Sequence, residues 1–395
     1  MLTPSSKIPA GAVLCVVGAR PNYMKIAPII RALRSEPGSI PAKLVHTGQH
    51  YDPEMNDAFF SQLGIPSPNI ELEVGSASHA VQTAEIMKRF EAVIDAELPA
   101  AVLVVGDVNS TIACALVAAK KNIPVVHVEA GLRSFDRTMP EEINRVLTDQ
   151  LSDLLFITEA SARANLLREG IDEQRIFHVG NVMIDTLHHS LSQAVPASVT
   201  LADLYKQEGF TVDESGYCVL TLHRPSNVDD PQLFRQLLGT VRLVSEKIPV
   251  IFSVHPRTRH RIETLGLQAL LGTPRIACLR PVGYLEMLGL ISGARLVMTD
   301  SGGLQEETTV VGVPCITLRN NTERPVTVDE GTNTVVGTDR RKIMTVVGDV
   351  LENGGKRGRT PELWDGKTAD RIKKILNEWL YQRQERREMA NLGTT

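Results

Sequence analysis

The chain has 395 residues, 43% of them apolar and 22% charged, with a formal net charge of −4. That is too long for one ordinary hydrophobic core and about right for two domains; the composition excludes extended disorder and gives no basic footprint for nucleic acid. Five cysteines, Cys15, Cys114, Cys218, Cys278 and Cys315, lie far apart without a Cys-x-x-Cys pair, which reads as small buried core residues in a reducing cytoplasm.

The start, MLTPSSKIPAG, has no apolar stretch of the signal-peptide kind, and no later apolar run approaches the roughly 20 residues of a membrane span. A cytoplasmic protein that contacts no membrane is the expectation. From residue 12 short apolar runs alternate with helical patterns: AVLCVVG, YMKIAPIIRALRS, AKLVHTG, EMNDAFFSQLG, then AVLVVG, IACALVAAKK, IPVVHVE, INRVLTDQLSDLL and RIFHVG. Runs apolar on both faces suit strands of a parallel sheet covered by helices, so the first half reads as one doubly wound domain.

Residues 190–216 lose the strand signal and read as a connection with a short helix. The alternation then restarts with YCVLTL, QLFRQLLGTVRLVSEK, PVIFSV, RIACL, YLEMLGLISGA, RLVMT, LQEETTVVG and PCITL, giving a second domain of the same kind. The fold class expected is therefore α/β, with two doubly wound Rossmann-like domains facing a cleft. The boundaries expected are residues 1–186 plus a C-terminal helix at about 372–395 for the first domain and 187–371 for the second. Ile372, Ile375, Leu376 and Trp379 give that tail an apolar face in need of a surface.

In open parallel sheets ligands bind beyond the carboxyl ends of the strands, and here those ends are polar: GARPN, GDVNST, HVEAGLRS, LHRPSN, VHPRTR and TDSGGLQEE. Ser301, Gly302 and Gly303 between a strand and a helix offer free amides and the positive end of a helix dipole to an anion, although a capped tight turn would look the same. Glu307, one turn into that helix, could accept hydrogen bonds from ribose hydroxyls. Arg20 and Lys25 flank the first helix start and favour phosphate contact. Asp107 reads equally as a cap for the helix near Ser110 or as a catalytic group. Glu129 ends a buried strand, where a carboxylate is costly unless paired or used, and Arg133 and Arg145 are possible partners for it and for Glu141 and Glu142. Glu141 and Glu142 sit where they could merely complement a helix dipole, and His255 where it could merely shape a turn.

No GxxxxGK[ST] and no GxGxxG after a strand occur, no His/Cys cluster has zinc spacing, and the carboxylates are not paired as DxD. Neither a nicotinamide nor a metal is expected, and no cofactor at all.

GARPNYMKIAPII, TGQH, GDVNST, HVEAGLRS, PEEINR, HVGNVMID, MTDSGGLQEE and NTERP follow one another in an order and spacing that resemble the non-hydrolysing UDP-N-acetylglucosamine 2-epimerases of bacteria. The resemblance runs from about residue 12 to about 340. It implies the two-domain GT-B fold, with the nucleotide held mainly by the C-terminal domain and a final helix crossing back onto the first, and a homodimer. It also implies interconversion of UDP-N-acetylglucosamine and UDP-N-acetylmannosamine, in which UDP is eliminated to give bound 2-acetamidoglucal and then added back.

By motif, Asp107, Glu129 and Glu141 match the family's catalytic acids, and His223 joins Arg20, Lys25 and the Ser301–Gly303 turn around the leaving diphosphate. Arg224 matches the family's motif, and Arg324 resembles a further nucleotide-contacting residue. Gln49, His50 and His255 resemble part of a second substrate site that activates some members. Many members carry HRRE where this chain has HRPSN, and HYDPE and RPSN replace other parts of that second site. Two neighbouring readings are a GT-B glycosyltransferase and a 2-epimerase of a modified UDP-acetamido sugar.

Overall fold

The computed structural model describes residues 11–49, 64–202, 204 and 209–392, without the side chains of Arg20 and Pro21 and of a few residues near the C-terminus. The expected Arg20 contact, His50, HYDPE and most of the EMNDAFFSQLG pattern thus lie outside the described residues. The chain divides into two compact units, Met1–Thr186 with Glu362–Thr395, and Leu187–Pro361.

The first unit is built on seven strands: β1 Val13–Val17, β2 Ala42–His46, β3 Ile70–Glu71, β4 Ala101–Val105, β5 Val125–Ala130, β6 Leu154–Ile157 and β7 Ile176–His178. They pair in the order β3-β2-β1-β4-β5-β6-β7, all in parallel. VLCVV and AVLVV are buried at every position, because helices cover both faces of the sheet and neither face can carry a polar alternation. The order of connection reverses between β1 and β4, and ligands of doubly wound sheets bind in the crevice beyond such a reversal.

The returning segment completes this unit. Trp364 is buried and donates its indole N–H to the carbonyl of Thr158 at 3.0 Å, while Ile372, Leu376 and Leu380 bury one face of the final helix. That helix packs on the helix Arg20–Arg34. Its start is not near residue 372 but at Thr368, because the Asp185 carboxylate, far away in sequence, accepts the Thr368 and Ala369 amides at 3.0 and 2.7 Å.

The second unit carries six parallel strands: β8 Cys218–Leu222, β9 Val250–Val254, β10 Ile276–Leu279, β11 Leu296–Thr299, β12 Cys315–Thr317 and β13 Asn333–Val335. Their order is β10-β9-β8-β11-β12-β13, so the reversal falls between β8 and β11. The amphipathic helix Pro231–Lys247 packs Phe234, Leu237, Leu238, Val241 and Val244 into the core, and its first turn is capped by Asp230, which accepts the Gln232 and Leu233 amides. Among the described residues no helix is long and apolar enough to cross a membrane.

Candidate functional site

In the first unit the polar residues gather at the β1/β4 reversal and the neighbouring end of β5. Glu129 sits at a register shift between Val128 and Ala130 with φ +73°, a left-handed backbone that a non-glycine residue holds only when its surroundings enforce it. Its carboxylate is buried against the ammonium of Lys25, which the helix Arg20–Arg34 brings to the same point. Gly106 follows β4 with φ +66°; a Cβ there would lie 2.9 Å from Lys25 Nζ and 3.5 Å from Glu129 Oε2, so glycine leaves room for the pair.

Asp107 does not cap the helix Asn109–Lys120. Its carboxylate pairs with Arg145, and the cap is supplied by Gln49, whose Oε1 accepts the Ser110 amide at 3.1 Å and hydroxyl at 2.8 Å. Gln49 therefore spends its carbonyl on a helix start. Glu142 is fully engaged, accepting from the Ser134 amide and hydroxyl and the Phe135 amide at 2.9–3.0 Å and pairing with Arg145 at 2.5 Å. Glu141, half-buried beside it, has no hydrogen bond or ion pair among the described residues. Of the two arginines considered as partners, Arg145 serves Asp107, whereas Arg133 turns to Asp149 at 2.7 Å and to Glu169.

In the second unit the β8/β11 reversal joins LHRPSN to TDSGG. Asp300 is completely buried, and its carboxylate accepts the amides of His223 (3.1 Å) and Arg224 (2.9 Å) and the side-chain amide of Asn227 (3.1 Å). Its Oδ1 lies 3.0 Å from Nδ1 of His223. Burial opposes ionisation of Asp300, yet the hydrogen bonds and charge of His223 and the two backbone amides outweigh it and hold the carboxyl below the usual range. Nδ1 of His223 is thus engaged, and Nε2 is left for a ligand.

The helix Gly302–Val311 starts at this point with Ser301 at its N-cap and no side-chain cap, so neither Asp300 nor Ser301 consumes its first amides. A Cβ on Gly302 would come 2.8 Å from Glu323 Oε1, and Glu323 is in turn 2.9 Å from Arg319 and 3.7 Å from Arg224. Glu307 is buried, and burial, followed by the neighbouring charge of Glu306, pushes its carboxyl up to about 8. Arg324 directs Nε to Glu306 at 2.5 Å. His255 caps the helix Pro256–Thr264 by accepting the Arg257 amide at 3.2 Å, with its ring 5.9 Å from that of His223.

The geometry thus brings Lys25, Asp107 and Glu129 to one sheet reversal, and His223, Arg224 and Ser301–Gly303 to the other. Sequence reasoning missed Asp300 and Asn227 as holders of the His223 turn, and Asp149 and His127 beneath Glu129. Only the aspartate ending RLVMTD carried a signal, as a charge at the close of an apolar strand. Among the described residues no group of His, Cys, Asp and Glu could hold a metal ion.

Residues 31–377 match the family model described as UDP-N-acetylglucosamine 2-epimerase. The chain belongs to this family. A relative from Methanocaldococcus jannaschii named UDP-N-acetylglucosamine 2-epimerase is 43% identical over 93% of this chain and 99% of its own. The crystal structure of the Methanocaldococcus jannaschii UDP-GlcNAc 2-epimerase in complex with UDP-GlcNAc and UDP has a TM-score of 0.83 at 42% identity, covering 93% of this chain and 99% of that one. A UDP-2,3-diacetamido-2,3-dideoxy-D-glucuronate 2-epimerase of Pseudomonas aeruginosa is 39% identical over 87% of this chain and 94% of its own. The fold class read from the sequence, two doubly wound units of the GT-B type, agrees with both sheets and with the epimerase structure.

Proposed function

We propose that this protein is a UDP-N-acetylglucosamine 2-epimerase that interconverts its substrate with UDP-N-acetylmannosamine. In this reading UDP leaves carbon one as the proton on carbon two is taken, giving bound 2-acetamidoglucal. UDP then adds back to carbon one as a proton reaches the opposite face of carbon two. The observation that carries the reading is the end of two adjacent strands in acids, Asp107 and Glu129, each set against a buried cation, Arg145 and Lys25.

Inversion needs proton exchange on both faces, hence at least two acid/base groups, and Asp107, Glu129 and Glu141 supply three candidates. The proton on carbon two is barely acidic, so the diphosphate must be drawn off as that proton moves. Arg20, Lys25, His223, Arg224 and the free amides after Ser301 are the groups suited to stabilise it. With Nδ1 held by the Asp300 carboxylate, His223 as the doubly protonated imidazolium can donate its outer N–H to a phosphate oxygen. Glu307 is suited to the ribose hydroxyls, and Arg324 to the nucleotide once it shares Glu306. Gln49, His50 and His255 remain the candidates for a second substrate position. A homodimer in the cytoplasm, without a cofactor, completes the proposal.

Incubation with UDP-N-acetylglucosamine in deuterated water, followed by NMR at carbon two, tests it. Deuterium uptake together with the mannosamine isomer is expected; the absence of both would overturn the substrate assignment, and sugar transferred to an acceptor would point to a glycosyltransferase. A second reading, a 2-epimerase of a modified acetamido sugar, is favoured by the likeness to the Pseudomonas aeruginosa diacetamido-glucuronate enzyme. The same experiment with that sugar nucleotide separates the two.

A further inference from the structure

The helix Pro140–Leu151 turns Glu142, Arg145 and Asp149 inward, and each is 3% exposed or less. The first two engage the Ser134 turn and Asp107. Asp149 has a different neighbourhood. Its Oδ1 lies 2.7 Å from Nδ1 of His127, and its Oδ2 accepts the Gly131 amide at 3.1 Å and faces Arg133 at 2.7 Å. His127, itself completely buried, reaches the Gly106 carbonyl through Nε2 at 2.9 Å. A carbonyl only accepts, so Nε2 carries a hydrogen.

The two ends of this chain are the residue before Asp107 and the residue two after Glu129. Gly106, Glu129 and Gly131 all hold left-handed backbones, with φ of +66°, +73° and +77°. Such a conformation at Glu129 persists only where neighbouring contacts over-determine it, and a buried acid is an expensive way to fill a core. An apolar residue at position 149 would pack the same helix on the same sheet without tying the two strand ends together.

We infer that Asp149 and His127 act as a pair of positioning residues that fix the Glu129 turn against the Gly106–Asp107 turn, and so set the separation of the two acid/base groups across carbon two. The inference rests on the reading of Asp107 and Glu129 as those groups. Neither Asp149 nor His127 touches substrate. Their effect is to hold two carboxyls in one geometry while protons move on and off the sugar.

Asp149→Ala, Asp149→Asn, His127→Phe and the Asp149→Ala/His127→Phe double variant test it in the full-length protein, by kcat and KM for UDP-N-acetylglucosamine and by crystal structures. Misplacement by about an ångström costs a rate on the order of 10- to 100-fold. Asp149→Ala and His127→Phe are expected to lose kcat on that scale with KM within about twofold, and the double variant to be no slower than the worse single one, as for residues that work as a unit. Asp149→Asn still accepts the Gly131 amide and can donate to His127, so it should recover most of the rate. His127→Phe keeps a ring of similar size and leaves Asp149 its contacts with Gly131 and Arg133, and it serves if Asp149→Ala does not fold. Wild-type kcat in both single variants, or losses that multiply in the double, would overturn the inference. If the wild-type protein turns over no UDP-acetamido sugar, the proposed function fails, but the crystal structures still decide this one: Glu129 is expected to leave its left-handed backbone in His127→Phe, and an unmoved Glu129 contradicts the pairing.

Discussion

Asp300 stands 3.0 Å from Nδ1 of His223 although the two are 77 residues apart in sequence. This single contact makes a histidine at the end of β8 into a group of fixed orientation, because the same carboxylate also holds the His223 backbone amide. His223→Ala is expected to lower kcat by roughly 100-fold or more, the scale on which one positioned donor to a developing oxyanion acts, while the melting temperature changes by no more than a few degrees. Asp300→Asn retains the shape, but whichever oxygen becomes the amide nitrogen then faces the His223 backbone N–H; it should lose both activity and about 1–3 kcal/mol of stability. Kinetics and thermal melting of both variants check this, and parallel losses of rate and stability in His223→Ala would return that histidine to a structural role.

Glu307 carries a pH dependence of definite sign. Its folded value is raised to about 8 from an ordinary 4.5, so between those values the folded protein keeps a proton that the unfolded chain has released. Stability attributable to this group is full below about 4.5, falls as pH rises through that window and levels off above about 8. Glu307→Gln should remove this slope, read as the change in melting temperature between the two pH limits. Ribose hydroxyls favour the ionised carboxylate, so UDP binding near neutral pH is expected to release protons, measurable by titration calorimetry in buffers of different ionisation enthalpy.

The buried Lys25–Glu129 pair separates fold from chemistry. Glu129→Gln leaves an ammonium in the interior without its anion and should destabilise by about 3–5 kcal/mol. The double variant Lys25→Met, Glu129→Gln is expected to regain much of that loss while remaining inactive. Chemical denaturation and turnover assays distinguish the outcomes; an active double variant contradicts the role proposed for Glu129.

Gln49, proposed for a second substrate position, also receives two hydrogen bonds from Ser110 on its side-chain oxygen. Gln49→Ala should lower stability by about 1 kcal/mol, as the loss of a helix cap does. Because Gln49 belongs to the proposed second substrate position, Gln49→Ala should also alter the dependence of rate on UDP-N-acetylglucosamine concentration. An unaltered dependence at lowered stability would leave the side chain with the helix cap alone.

The strands and the two-unit organisation were legible because a parallel sheet buried on both faces writes itself as uninterrupted runs such as VLCVV and AVLVV. The polar strand ends were legible for the same reason, since GDVNST or TDSGG contrasts with the run before it. What each polar residue bonds to was not. Asp107 could not be told from a cap until Arg145 and Gln49 were seen to divide the two tasks, and Arg133 offered itself to Glu129 while its geometry serves Asp149. Asn227, inside the stretch that departs from HRRE, is spent on Asp300 and the Leu318 carbonyl. Pairings across sheets depend on which strands become neighbours, and that is settled by the whole chain.

The first unit is discontinuous: Trp364, Thr368 and the face of Ile372, Leu376 and Leu380 belong to it, yet the whole second unit lies between them and Thr186. During synthesis, at about 5–20 residues per second, the sheet carrying Asp107 and Glu129 leaves the ribosome well before the segment that seals it. Until those last residues emerge, the Thr158 carbonyl, the Asp185 carboxylate and the apolar surface of the helix Arg20–Arg34 lack the partners they have in the finished fold. A nascent chain stalled at Pro361 should therefore display that surface to chaperones and proteases, whereas one released after Leu392 should not. Maturation of the acid-bearing unit therefore waits on the synthesis of the segment after Pro361.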